Sequence, residues 1–261
     1  FVDNSYNGDV DALFCRFDSL GKLTWATVYG ATQADFINDM KLDNSNNLFA
    51  VGYHNLVGGF PHVTKTGAYN SSIGRGFILK FDPTLAVEWC SSFGKSTNGG
   101  GDFQTIDFDN NNNPIVSGTV FDSIPTKNYS GAYNDNTYNG GTADSFIAAF
   151  DATSDTLTWS TYFGGTGYDV MRSSCKTPKF SISGNKSSTA SPDNLYLLGT
   201  GSTNYPWNHT SPQYFDTVNT MRYVIIKVDL NTRNTTWVTG FKNSTVDGCI
   251  VDEKENLITI N

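Results

Sequence analysis

One block of sequence recurs four times in this chain, and the recurrence limits the fold to a repeat array. The block runs from an apolar strand ending at Asp, through a Trp, to an aromatic residue beside Gly. It is centred on Trp25, Trp89, Trp159 and Trp237, at spacings of 64, 70 and 78 residues. Short strands repeating at this interval point to an all-β propeller-like array.

Each unit reads as four strands. In the first unit they are 12–17, 23–29, 36–42 and 48–53. The first strand alternates, with Leu13, Cys15 and Phe17 on one face. The matching sets are Phe77, Leu79, Phe81, then Phe146, Ala148, Phe150, then Val224, Ile226, Val228. This period of two marks half-buried strands. Asp18, Asp82, Asp151 and Asp229 follow where the chain has to turn. The third and fourth strands form a hairpin around Asn-rich turns such as 43–47 and 109–113. Pro114 opens its strand, where a missing N–H is tolerated. Long loops join the units. Two are near copies, Phe60-Pro61 leading to Gly67-Ala68-Tyr69-Asn70 and Ile124-Pro125 leading to Gly131-Ala132-Tyr133-Asn134. Residues 176–192, rich in Ser, Lys and Pro, read as a surface insertion.

The register of the ends suggests closure. Residues 36–94, 103–164 and 169–241 make three antiparallel blades of one propeller domain spanning 1–261. The fourth blade is expected to combine 247–260 with 12–29 in one sheet, which would leave no open edge. The same two half-blades could instead pair between copies and build a filament. The chain begins at Phe1 and stops inside a repeat, and is read as a processed or trimmed segment.

Asp144–Asp151, Trp159–Gly165, Asp193–Gly199 and Gly131–Tyr133 together resemble the SBBP bacterial β-propeller repeat family. The likeness extends over nearly the whole chain. It implies a propeller in an extracellular or cell-surface setting, and it brings no catalytic motif. The last unit departs from the pattern at Asn261, where the others have Gly.

Composition excludes some partners. The net charge of −8 and a pI near 4.7 argue against a phosphate-binding surface, so nucleic acid is not expected. No apolar run reaches the ~20 residues a membrane helix needs, so no membrane insertion is expected. Cys15, Cys90, Cys175 and Cys249 allow three pairings. Cys175 and Cys249 fall on innermost strands of neighbouring blades and are the candidate disulfide. Cys15 reads equally well as a buried apolar thiol. No metal is expected, since Cys-x-x-Cys is absent and His54, His62 and His209 are placed in loops. The six Asn-x-Ser/Thr sequons, at Asn70, Asn128, Asn185, Asn208, Asn234 and Asn243, are candidate glycosylation sites in loops or the insertion. Six is about what chance gives in so Asn-, Ser- and Thr-rich a chain.

Three constellations have residue types suited to chemistry. Asp43-x-Ser45-x-Asn47 and Asp109-x-Asn111-x-Asn113 have calcium-loop spacing, but no acidic twelfth ligand follows and a hairpin turn explains them. Asp39, Asp107 and Asp252 lie on or beside innermost strands, where paired carboxylates would serve a glycan hydrolase or lyase. Nucleophile elbows, phosphate loops and zinc-protease helices are absent, and no catalytic residue or cofactor is assigned. Aromatic residues in the loops, above all Tyr205, Trp207 and Tyr214, are glycan-contact candidates. The expectation is a secreted, non-catalytic structural or adhesive module whose partners are copies of itself or cell-surface and matrix glycans. The alternative is a lectin-like propeller, and the third reading is the glycan enzyme.

Overall fold

The computed structural model describes residues 8–55, 59–95, 99–177, 193–202, 204–206, 222–241, 248–252 and 254–260. Sixteen strands are described, and no helix occurs among these residues. They are β1 (Ala12–Phe17), β2 (Leu23–Tyr29), β3 (Asp35–Leu42), β4 (Leu48–His54), β5 (Gly76–Phe81), β6 (Val87–Phe93), β7 (Gly101–Phe108) and β8 (Pro114–Val120). The remainder are β9 (Asp144–Phe150), β10 (Leu157–Phe163), β11 (Val170–Lys176), β12 (Asn194–Gly201), β13 (Arg222–Asp229), β14 (Asn234–Phe241), β15 (Gly248–Val251) and β16 (Leu257–Ile260). Every ladder is antiparallel between neighbours in sequence. Three sheets have four strands, in the orders β3-β4-β5-β6, β7-β8-β9-β10 and β11-β12-β13-β14. The fold is an all-β propeller, and these sheets are its three complete blades. Strands β3, β7, β11 and β15 together line a cavity of about 480 Å³, with Lys41, Asp107, Cys175 and Ile250 at its wall.

The turns explain why the units repeat so regularly. Asp43, Asp109 and Asp252 each accept main-chain N–H bonds at residues two and four ahead, at 2.8–2.9 Å. The second carboxylate oxygen accepts the amide of Asn47, Asn113 or Asn256. Asp-x-x-x-Asn is therefore a self-capped hairpin turn, and its fourth residue (Asn46, Asn112 or Glu255) takes a positive φ of 63–69°. In the complete blades the first ladder carries a bulge after Ile37, Phe103 or Met171. A Cβ on Gly52, Gly118 or Gly199 would collide with the carbonyl oxygen of Phe36, Asp102 or Val170. Only glycine lets the second strand approach the bulged one that closely.

Side chains between the blades form the core. Trp89 and Trp159 are fully buried. Trp89 Nε1 donates to the Tyr69 carbonyl at 3.0 Å, and Trp159 Nε1 donates to the Tyr133 carbonyl at 3.1 Å. The N–H groups of the same tyrosines donate to the carbonyls of Asp155 and Arg233, in hairpin turns of the next blade. The four tryptophans do not share one environment, contrary to what equivalence in the repeat suggests. Trp25 and Trp237 are half-buried. Trp237 sits 6.0 Å from Tyr196, on the face of the third blade that meets β15–β16.

The fourth blade also differs from the expectation. Residues 12–29 and 247–260 do not share a sheet: β1 pairs only with β2, and β15 only with β16, among the described residues. Each half instead docks on the complete blade next to it. Ala12, Phe14 and Tyr29 pack against Phe77, Leu79 and Phe81 of the first blade. Cys249, Val251 and Leu257 pack against Tyr196, Leu198 and Ile225 of the third. Each half buries one face against its neighbouring blade, and the Cys175–Cys249 disulfide joins β15 to β11.

Truncation should separate sealed from open interfaces. Trp89→Ala should cost ~3–5 kcal/mol in urea unfolding, and Trp237→Ala about half as much. Equal losses at the two sites would contradict this account. Gly118→Ala should lose about 2 kcal/mol or more, because its Cβ has no room beside the Asp102 carbonyl. An unchanged unfolding midpoint would show that the bulge can relax.

Candidate functional site

Each of the carboxylates expected to line the channel has its own partner. Asp107 accepts from Lys41 Nζ at 2.6 Å. Asp39 accepts the N–H groups of Met40 and Ile106, at 2.8 and 2.9 Å. Asp252 caps its own turn, and the Asn256 bonds hold its carboxyl below the usual carboxylate range. Of the three, Asp107 lies in the lining of the cavity, where it is salt-bridged to Lys41. In the two loops with calcium-like spacing, the Asp oxygens serve the turn bonds described above.

A buried cluster that the sequence reading missed lies between β4 and β6. His54, placed in a loop by sequence, is the last residue of β4 and is buried. Its Nε2 is 2.8 Å from Ser92 Oγ, and His62 Nε2 is 2.6 Å from the same oxygen. His54 Nδ1 faces the Asn55 carbonyl at 2.9 Å, so it carries the proton. Ser92 Oγ is thus within hydrogen-bond distance of both Nε2 atoms. The His54 ring stacks on Phe60 at 4.3 Å. Ser92 is fully buried, so this serine offers no accessible nucleophile. Only the fold brings these residues together, which are 30 and 38 apart in sequence.

Several acids at or beside strand starts are buried, namely Asp35, Asp102, Asp144 and Asp169. Asp102 is paired with Arg75 at 3.2 Å. Burial pushes Asp35 and Asp102 up to about 6, and Asp144 up to about 7. Asp169, close to Asp144, is also raised by burial.

The candidate glycan contacts are placed as follows. Tyr205 is 3% exposed, with its ring 5.4 Å from Phe163 and its hydroxyl at the Ser145 side chain. It fills the space between the second and third blades and offers no surface to a sugar. Trp207 and Tyr214 lie outside the described residues. Of the sequons, Asn70 and Asn128 are exposed, and the Asn70 side-chain amide donates to the Lys65 and Ala68 carbonyls at 2.8 and 3.2 Å. Asn234 begins β14, and its side-chain amide donates to the Gly131 carbonyl at 2.6 Å, which removes it from the set of free loop asparagines. Asn185, Asn208 and Asn243 lie outside the described residues. Cys175 and Cys249 are joined, with Cα atoms 5.8 Å apart. Cys90 is buried and Cys15 is an exposed free thiol.

Among the described residues, exposed apolar side chains gather on the two half-blades and on β3 beside β1. Leu13 and Phe17 of β1, Met40 and Leu42 of β3, and Ile250, Ile258 and Ile260 of β15–β16 are all exposed. A groove of about 340 Å³ runs between β1 and β3, lined by Leu13, Phe14, Trp25, Met40 and Leu42. Contiguous apolar surface of this kind marks an interaction site.

No protein-family model matches this chain, and no curated protein matches it. Among solved structures it is similar to the Dos1 propeller, with a TM-score of 0.47 and 10% identity. The alignment covers 95% of this chain and 47% of that one, so this chain spans about half its length.

The His54 cluster predicts a pH effect. Burial lowers His54 from 6.5 to about 4, so its contribution to stability is full above pH 6.5 and is lost as pH falls toward 4. The buried acids act in the opposite direction, so the single-variant difference is the quantity to read. The stability of the native chain relative to His54→Gln should fall by about 3 kcal/mol between pH 7 and 4. A difference that stays flat would show that the imidazole is not buried neutral.

Proposed function

We propose that this chain is a non-catalytic, extracellular structural or adhesive propeller module that works by surface contact, including contact with copies of itself. The observation that carries this reading is the concentration of exposed apolar side chains on the two half-blades, from Leu13 and Phe17 to Ile258 and Ile260. Elsewhere the blades are sealed by buried aromatics, and the channel carboxylates are held by Lys41 or by main-chain N–H groups. The disulfide supports a setting outside the reducing cytosol. The likeness of the repeat to bacterial surface propellers agrees with that setting.

Sedimentation velocity over a hundredfold range of concentration tests the reading. The expected result is association that grows with concentration and persists in moderate salt, because the contact is apolar. A chain that stays monomeric and binds glycans on an array would favour a lectin. Glycan turnover that is abolished by Asp107→Asn would favour the enzyme.

A further inference from the structure

The two half-blades are complementary, and the repeat specifies how they fit. In all three complete blades the second strand pairs with the third in one register. In the first blade Leu48 faces Phe81, Phe49 faces Lys80, Ala50 faces Leu79 and Val51 faces Ile78. In the second Ile115 faces Ala149 and Val116 faces Ala148, and in the third Leu195 faces Val228 and Leu197 faces Ile226. By position in the repeat these are equivalent pairs. Among the described residues, β16 is a second strand without a third, and β1 is a third strand without a second.

We propose that β16 of one copy pairs with β1 of a second copy, completing the split blade between molecules. The inference rests on the reading of this chain as a self-associating module and names the surface that would do it. Transferring the common register puts Leu257 opposite Phe17, Ile258 opposite Arg16, Thr259 opposite Cys15 and Ile260 opposite Phe14. The incoming hairpin would also cover the groove. Phe49 of β4 packs edge-on against Phe108 at the end of β7, with ring centroids 5.4 Å apart. The equivalent contact in the completed blade joins Ile258 of the incoming copy to Leu42. Leu42 is 61% exposed here and Ile258 is 47% exposed.

The occupant is a second copy rather than the chain's own hairpin for two reasons. A chain's own ends are at the highest effective concentration available to any pair. Even so, the two halves sit in separate sheets in this structure. The hairpin is also fixed to the third blade by the Cys175–Cys249 bond and by Val251 and Leu257 packing on it. A copy that donates its hairpin while accepting another at β1 makes a head-to-tail contact. Such a contact propagates into a ring or a filament.

The unpaired thiol of Cys15 makes the register testable. Residues facing each other across an antiparallel pair lie ~4.5–5.5 Å apart at Cα, within reach of a disulfide. The full chain carrying Thr259→Cys should form a ladder of covalent multimers on mild oxidation, read on a non-reducing gel. The ladder should shrink at least tenfold when Cys15→Ser is added. Buried Cys90, its thiol pushed up to about 12 by burial, should stay out of the reaction. Mixing native chain with chain carrying both Cys15→Ser and Thr259→Cys should give a heterodimer, which only contact between molecules can form. A cross-linked monomer of altered mobility would overturn the proposal, because the chain would then close on itself. Absence of any cross-link in a variant with native circular dichroism would overturn it too. If the native chain still associates by sedimentation in that case, self-association stands and only the strand pairing fails.

Discussion

The loop tyrosines Tyr69 and Tyr133 hold neighbouring blades together, and the complete part of the propeller depends on this contact. Each tyrosine carbonyl accepts the indole N–H of its own blade's Trp, while its N–H donates to a hairpin turn of the next blade. One peptide group on each side of the residue thus ties a buried tryptophan to the adjacent sheet. Bonds of this kind between buried groups matter mostly because leaving them unmade is costly. The turn residues that supply the acceptors, Asp155 and Arg233, are themselves at positive φ. Around this latch, Phe93, Phe103, Phe146 and Phe150 pack with centroids 5.3–6.2 Å apart across the first and second blades.

Polar side chains then fix how the sheets face one another. Asp155, fully buried, meets both Lys65 and Lys80 of the preceding blade. At the next interface the corresponding turn residue, Arg233, lies over the Tyr129 ring at 3.8 Å. The same place in the repeat carries an acid in one blade and a cation in the next, with the partner changed to match. Such pairs orient the blades more than they stabilise them, since burying the charges offsets much of the attraction.

The split blade lacks this seal on one side of each half. Burial of one face against a complete blade gives each hairpin a place, but a two-stranded sheet keeps unpaired main-chain groups along its edge. An exposed edge with apolar side chains is a template for another chain. The exposed apolar side chains of β1 and β15–β16 thus lie where the repeat is interrupted.

Much of this was legible in the sequence. Period-two alternation, the Asp-x-x-x-Asn turns and the recurring Trp are local or repeated signals, and they located the strands and the order of the blades. The disulfide candidate also came from the repeat, because Cys175 and Cys249 fall on adjacent innermost strands. Tyr205 was read as a loop residue open to a ligand and is buried, and Asn234 was read as a loop residue and begins a strand. Burial depends on what the neighbouring blade brings, and no local pattern records it. The Ser92 cluster was invisible for the same reason, since His54 and His62 approach it from separate elements. Sequence by itself determined the strands, the turns and their order in the blades, because hydrogen bonding and alternation act over a few residues. The tertiary structure alone decided which faces were sealed and that the two half-blades stay apart, because those outcomes turn on contacts between surfaces distant in the chain.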